Sequence, residues 1–295
     1  MSRIHEALKR VEEERARQSG MQGEAAEVSP AAVAVGASDT GMPSFSAPFS
    51  LETLLARSVP ANWKPDAATM LFINGANDAA KGTEEFRTLR SRLYHVRDTM
   101  TLKRVLVTSA LPREGKSFTA ANLAQVMVRQ HGRRALLIDA DLRAPRRHEM
   151  LGAKAEPGLS DYLQEKCDEL AIIQRGSLEG LFFIPCGGAV ADPSELVGNG
   201  RLKLLLQRVE SLFDWIIIDS PPAIPVSDAG MLAKVCDGVV MVVRSSVTPY
   251  DVARKAREEF APETLVGVVL NGTEADSVPY SRYYYKTYQK DAPKS

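Results

Sequence analysis

A mostly parallel β-sheet with helices on both faces is the architecture this 295-residue sequence predicts, and three observations predict it. Six short runs, Arg104–Thr108, Ala135–Ile138, Leu181–Pro185, Trp215–Ile218, Gly238–Val243 and Val266–Leu270, are nearly continuous in Val, Ile and Leu rather than alternating. Strands covered on both faces read this way. Helical stretches (Lys116–Gln130, Gly200–Phe213, Asp228–Lys234, Tyr250–Phe260) separate most of them, and strand–helix alternation builds right-handed βαβ units. The polar motifs follow the runs, at the carboxyl ends where open α/β sheets bind ligands.

In chain order, residues 1–18 predict an amphipathic helix. Ile4, Ala7, Leu8 and Val11 recur at helical spacing among Glu6, Lys9, Arg10, Glu13 and Glu14, a narrow stripe that fits a docking helix or a solvated one. Residues 19–50 are rich in Ala, Gly, Ser and Pro without periodicity and read as a flexible linker, since they cannot offset their ordering entropy by burial. Residues 51–79 are transitional, with Leu51, Leu54, Leu55, Trp63, Met70, Leu71 and Phe72 available to pack on a folded body. That body is expected over 80–275, opening with a helix to about residue 98 whose apolar face is Phe86, Leu89, Leu93 and Val96. Residues 276–295 form a tyrosine-rich tail.

The strongest chemical signal is Val105–Thr108 running through a loop into Gly115-Lys116-Ser117 and a long helix, the setting of a P-loop. Gly115 lets backbone approach oxygen atoms, and the N–H groups at the helix start point at phosphates. Lys116 supplies charge for the β/γ oxygens, and the Ser117 hydroxyl can ligate Mg²⁺. Residues Arg113, Glu114, Gly115, Lys116, Ser117 and Phe118 are therefore the expected nucleotide contacts. Ala110 stands where the usual pattern opens with glycine. Leu136-Leu137-Ile138-Asp139-Ala140-Asp141 delivers two carboxylates at a strand end, and i, i+2 spacing in extended chain points them the same way. Trp215-Ile216-Ile217-Ile218-Asp219 delivers a third before Pro221 and Pro222 stop the strand. Three acids beside a phosphate loop suit a bridging metal and the polarisation of an attacking hydroxyl. Spacing alone does not divide those roles. Asn271 either reads the edge of a base or is a turn asparagine before Gly272.

Composition narrows the class. Lys plus Arg and Asp plus Glu both total 37, which argues against a nucleic-acid partner, because such binding rests on excess basic charge. Cys167, Cys186 and Cys236 lack Cys-x-x-Cys spacing, so buried thiols rather than disulfides or zinc are expected. No apolar run approaches ~18 residues, and the N-terminus has no secretory h-region. A cytoplasmic chain is expected.

The segments SALPREGKS, LLIDADLR, WIIIDSPP and EEFRTLR, together with the tyrosine-rich end, resemble the bacterial tyrosine kinases of capsule and exopolysaccharide synthesis, the BY-kinases, over about residues 80–290. The opening MSRIHEALKRVEE is similar to members associated with exosortase-type loci. The resemblance implies a P-loop fold and an ATP- and Mg²⁺-dependent, non-specific protein-tyrosine kinase that autophosphorylates in trans within a homo-oligomeric ring. Lys116 and Ser117 would serve phosphate and metal, and Asp139, Asp141 and Asp219 would share metal binding and hydroxyl activation. Glu84, Arg87 and Arg90 match the family's subunit-contact motif. Many members carry glycine where this chain has Arg113. The family also implies a transmembrane co-polymerase-type activator that recruits the protein to the inner face of the plasma membrane.

Five of the eight tyrosines, Tyr280, Tyr283, Tyr284, Tyr285 and Tyr288, fall in the last sixteen residues among Arg282, Lys286 and Lys290. The tail is read as the substrate, against an added edge strand or an aromatic–basic nucleic-acid binder. Fifteen extended residues reach about 50 Å, far enough for a neighbouring subunit. A ParA/MinD-like ATPase switch is the alternative function; those proteins carry a further lysine where this chain has Leu111. A non-catalytic adaptor is the remaining reading.

Overall fold

The computed structural model describes residues 49–66, 69–72, 82–144 and 148–273. The expected helix over 1–18, nearly all of the linker and the tyrosine tail lie outside the described residues. Eight strands form one sheet: β1 (Val59–Pro60), β2 (Arg104–Ser109), β3 (Ala135–Asp139), β4 (Gln174–Arg175), β5 (Leu181–Ile184), β6 (Trp215–Asp219), β7 (Gly238–Arg244) and β8 (Leu265–Asn271). Their order is β1-β4-β5-β3-β6-β2-β7-β8. Every neighbouring pair is parallel except β4 and β5. All six expected strands are present. The helices are α1 (Leu51–Arg57), α2 (Thr83–Arg97), α3 (Lys116–Val128), α4 (His148–Leu151), α5 (Leu159–Leu163), α6 (Pro193–Gly198), α7 (Arg201–Val209), α8 (Asp228–Ala233) and α9 (Tyr250–Glu258).

Successive strand residues face opposite sides of a sheet, and the core divides accordingly. Leu106, Leu136, Ile138, Ile216, Ile218, Val239 and Met241 pack on one side with Leu202, Leu205 and Leu206 of α7 and Leu232 of α8. Val105, Val107, Leu137, Ile217, Val240 and Val242 pack on the other with α3 and with Phe86 and Leu93 of α2. Helix α3 is buried on nearly all sides, because it lies between the sheet and α2. That burial needs small residues, and Ala120, Ala121 and Ala124 supply them.

The folded body begins near residue 49, well before residue 80. Leu54, Trp63, Met70 and Phe72 are buried, and β1 adds to the sheet edge beside β4. The Trp63 ring stands edge-on to Phe183 with centroids 6.4 Å apart. It also covers Gly176, where a Cβ would come within 2.1 Å of the indole. These apolar residues have no period in sequence, so their burial has no local signature. Strand β8, the other edge, leaves Val268 and Leu270 more than half exposed.

Asp237 ties the amino ends of β2 and β7 together. Its Oδ2 accepts the backbone N–H groups of Lys103 at 2.9 Å and Arg104 at 2.7 Å. Its Oδ1 accepts the Arg104 guanidinium at 3.0 and 2.5 Å. Burial pushes the carboxyl up, but these hydrogen bonds outweigh it and hold Asp237 below its ordinary 3.8. A carboxylate with a lowered folded-state value stabilises the fold fully above its unfolded value, and that stability is lost as pH falls through the folded value. Urea unfolding of the parent should therefore lose stability progressively below pH 3.8. In Asp237→Asn the neutral-pH stability should drop by about 1.5–3 kcal/mol and the acid dependence should flatten; an unchanged slope would remove Asp237 from this role.

Candidate functional site

The site lies where β2, β3 and β6 end. Strand β2 is followed by Ala110, whose methyl is wholly buried in the core and whose φ is not positive. The loop therefore needs no glycine there. Its special backbone comes later: Arg113 has φ 66° and Gly115 φ 98°. Glycine favours that left-handed region and arginine does not, so this loop holds a conformation that Arg113 opposes. At Gly115 a Cβ would also lie 2.0 Å from Asn271 Nδ2.

The loop is held from outside. Glu114 is buried; its Oε2 accepts the Leu111 N–H at 2.7 Å, and its Oε1 accepts the Thr248 hydroxyl. Asn271 Nδ2 donates to the Glu114 carbonyl at 2.9 Å, and Arg244 Nη1 donates to the Arg113 carbonyl at 3.2 Å. Arg244 and Asn271 are paired residues at the carboxyl ends of β7 and β8. Both edge-ward strands thus grip the phosphate loop. Asn271 is committed to the loop backbone, and its Oδ1 accepts the Gly272 N–H at 2.9 Å. Glu114 braces the loop from within. The Phe118 ring packs against Phe86 with centroids 5.8 Å apart, between α2 and α3. Of Glu114 and Phe118, only backbone groups remain as plausible phosphate contacts.

Lys116 opens α3, and its ammonium is almost fully buried. It lies 2.9 Å from Asp141 Oδ2 and 3.9 Å from Asp219 Oδ1. Asp139 and Asp219 are direct register partners on β3 and β6. With the Ser117 side they line one small recess, closed at its base by Ala121, Leu137 and Phe183. Asp141 lies two residues beyond β3, its N–H 3.2 Å from Asp139 Oδ1. The acids are thus divided in space: Asp139 and Asp219 flank Ser117, whereas Asp141 pairs with the lysine.

Charge tests the metal. Asp139, Asp141 and Asp219 are each at most 3% exposed; carboxylates this buried need cations or hydrogen-bond donors around them, and Lys116 is one such cation. Ser117, Asp139 and Asp219 would offer a divalent ion the hard oxygen donors that Mg²⁺ prefers. Among the described residues no three His, Cys, Asp or Glu side chains are grouped as a chelating set. Mg²⁺ here would take its remaining ligands from phosphate oxygens and water, as that ion commonly does.

Arg143 is a site residue that sequence reasoning passed over, although it closes the same acidic motif. Its guanidinium donates to Asp228 at 2.8 and 3.1 Å and to Ser194 Oγ at 2.8 Å. This fixes the turn after Asp141 to α6 and α8. Burial pushes Asp228 up, and the Arg143 and Ser194 hydrogen bonds outweigh it, holding the carboxyl below its ordinary value. Thr248 and Arg244 were also missed; only the β7–β8 pairing places them beside the loop.

The subunit-contact stripe is split. Glu84 and Arg87 pair with each other on α2. Arg90 turns inward, donating to the Val126 carbonyl at 2.9 Å in the last turn of α3. The five tail tyrosines lie outside the described residues.

A family model described as an AAA domain matches residues 114–250. The tyrosine-protein kinase YwqD of Bacillus subtilis is 36% identical over 208 residues, 70% of this chain and 86% of its own length. The chain belongs to the bacterial protein-tyrosine kinases. The putative tyrosine-protein kinase AmsA of Erwinia amylovora is 32% identical over 75% of this chain, but the match spans only 30% of AmsA. The kinase domain of Escherichia coli ETK superposes with a TM-score of 0.61 at 30% identity, over 67% of this chain and 78% of that domain. No helix among the described residues of this kinase is long and apolar enough to cross a membrane.

In this kinase Gly115→Ala should abolish binding of a fluorescent ATP analogue while leaving the circular dichroism intact. Thr248→Val keeps shape but removes the donor to Glu114, and should weaken that binding about tenfold, the worth of one hydrogen bond to a buried charge. Thr248→Ser should restore it, and equal affinities for the parent and Thr248→Val would rule the clamp out.

Proposed function

We propose that this chain is an ATP- and Mg²⁺-dependent autokinase that phosphorylates its C-terminal tyrosines in trans and thereby regulates exopolysaccharide synthesis or export. The observation that carries the reading is the convergence of Lys116, Ser117, Asp139, Asp141 and Asp219 at three adjacent strand ends, in a chain that belongs to the tyrosine kinases.

The geometry supports a division of roles that spacing left open. Backbone N–H groups from Arg113 to Ser117 cradle the phosphates at the start of α3. Lys116 exchanges its Asp141 contact for γ-phosphate oxygens and neutralises charge there. Ser117, Asp139 and Asp219 would hold Mg²⁺, which draws electron density from the transferring phosphoryl group. Asp141, released from the lysine, is the carboxylate best placed to accept the phenolic proton. A tyrosine hydroxyl has a pKa near ~10 and needs that help to attack. The Arg143–Asp228 pair keeps the Asp141 turn in position.

Partners follow from the same reading. Glu84 and Arg87 present a charged surface on α2 for a second subunit, whereas Arg90 acts by joining α2 to α3. A membrane-embedded polysaccharide co-polymerase supplies both activation and recruitment to the inner face of the plasma membrane. Each tail phosphate adds about −1.5 to −2 charges, so several would reverse the tail's sign and loosen the oligomer.

Purified protein with Mg-ATP, with and without the cytoplasmic tail of such a co-polymerase, should acquire phosphotyrosine within residues 280–288. Lys116→Met should acquire none, and should lose about 3–5 kcal/mol of stability because two buried carboxylates lose their cation. Asp141→Asn should keep nucleotide affinity but lose phosphate transfer. ATP hydrolysis without phosphotyrosine would replace this reading with an ATPase switch.

A further inference from the structure

Three of the eight tyrosines lie among the described residues. Two are built into the fold. Tyr162 is 1% exposed, and Tyr94 accepts the Trp215 indole N–H at 3.1 Å beneath α2. Tyr250 is different: it is 83% exposed and is the first residue of α9, after Pro249 at the cap. Nothing in the core requires an aromatic ring there.

Its position is tied to the phosphate loop. Two residues before it, Thr248 donates its hydroxyl to Glu114. Thr248 also closes a turn with Arg244, through its N–H to the Arg244 carbonyl at 3.1 Å and its hydroxyl to the Arg244 N–H at 3.3 Å. Arg244 in turn holds the Arg113 carbonyl. Tyr250 therefore begins the helix that follows the loop's outer clamp. A phosphate on its ring would be welcomed by the helix start and by Arg254 one turn on; Arg254 is otherwise only 3.9 Å from the exposed Glu258.

We infer that Tyr250 is a phosphoacceptor for a second copy of this kinase, and that its phosphate, two residues beyond the Thr248–Glu114 clamp, weakens nucleotide binding at the loop. The inference rests on the kinase reading above. In the step, Tyr250 Oη of one copy forms a bond to the γ-phosphorus of ATP held by the other. The bond from that phosphorus to the β,γ-bridging oxygen breaks, ADP leaves, and the phenolic proton passes to a carboxylate of the second copy. The sign of the effect follows from charge. About −1.5 to −2 charges beside a loop that binds a polyphosphate repel it.

The full chain, incubated with Mg-ATP and the co-polymerase tail, would be mapped peptide by peptide for phosphotyrosine. A variant with Tyr280, Tyr283, Tyr284, Tyr285 and Tyr288 changed to Phe would be phosphorylated by a trace of the parent, and its affinity for a fluorescent ATP analogue measured before and after. Phosphate at Tyr250 is expected, with affinity falling about threefold to tenfold. The same protein carrying Tyr250→Phe should show no fall. Phosphorylated tail tyrosines beside an unmodified Tyr250 would overturn the inference and leave the kinase reading standing. Phosphotyrosine nowhere would overturn both, and a modified Tyr250 with unchanged affinity would overturn the coupling to the loop.

Discussion

Two carboxylates at the same level on adjacent strands, both nearly excluded from water, are the constraint on which the rest of the molecule turns. Asp139 and Asp219 are register partners, and Asp141 follows within two residues. Burying three such charges is unfavourable unless cations answer them. Lys116 is one such cation, placed at the start of α3. The fold thus sets buried carboxylates and a buried lysine directly beside the loop that opens α3, so the strand ends and the loop form one polar site rather than two.

The phosphate loop shows a second balance, between strain and support. Ala110 replaces the usual first glycine at no backbone cost, because its φ is ordinary and its methyl belongs to the core. Arg113, by contrast, sits in the left-handed region. Its carbonyl is held by Arg244, and the next residue, Glu114, is braced by Leu111, Thr248 and Asn271. A conformation unfavourable for one residue persists when its neighbours over-determine it. Such a loop is open to control from β7, β8 and the segment before α9, since part of its support comes from those elements.

The family motif on α2 gains a physical division of labour. Glu84 and Arg87 pair with each other at the surface, where such a pair contributes little to stability. Arg90 instead joins α2 to the carboxyl end of α3, the helix that begins at Lys116. The position of α2 is therefore fixed to the helix that opens at the phosphate loop. One stripe in sequence serves both surface and interior because helical spacing of three residues rotates each side chain a little further around the axis.

By itself the sequence determined the six principal strands, the phosphate loop and the three acids, because continuous Val, Ile and Leu runs and a Gly-Lys-Ser helix start are local signals. It also showed a lysine, a serine and carboxylates at strand ends. It did not contain their arrangement. Strand order is a long-range property: placing β6 between β3 and β2 sets Asp219 beside Asp139 and brings both strand ends to Lys116 at the start of α3. That Leu54, Trp63, Met70 and Phe72 are available to pack is legible from their apolar character, but they follow no period, so where they pack, Trp63 against Gly176 and Phe183, is not. Glu114, Phe118 and Asn271 were visible as residues near the site, but only packing decided that two of them brace the loop and the third fills the space between helices. Local pattern fixes which elements form; the pairing of strands far apart in the chain fixes which side chains meet, and the chemistry depends on that meeting.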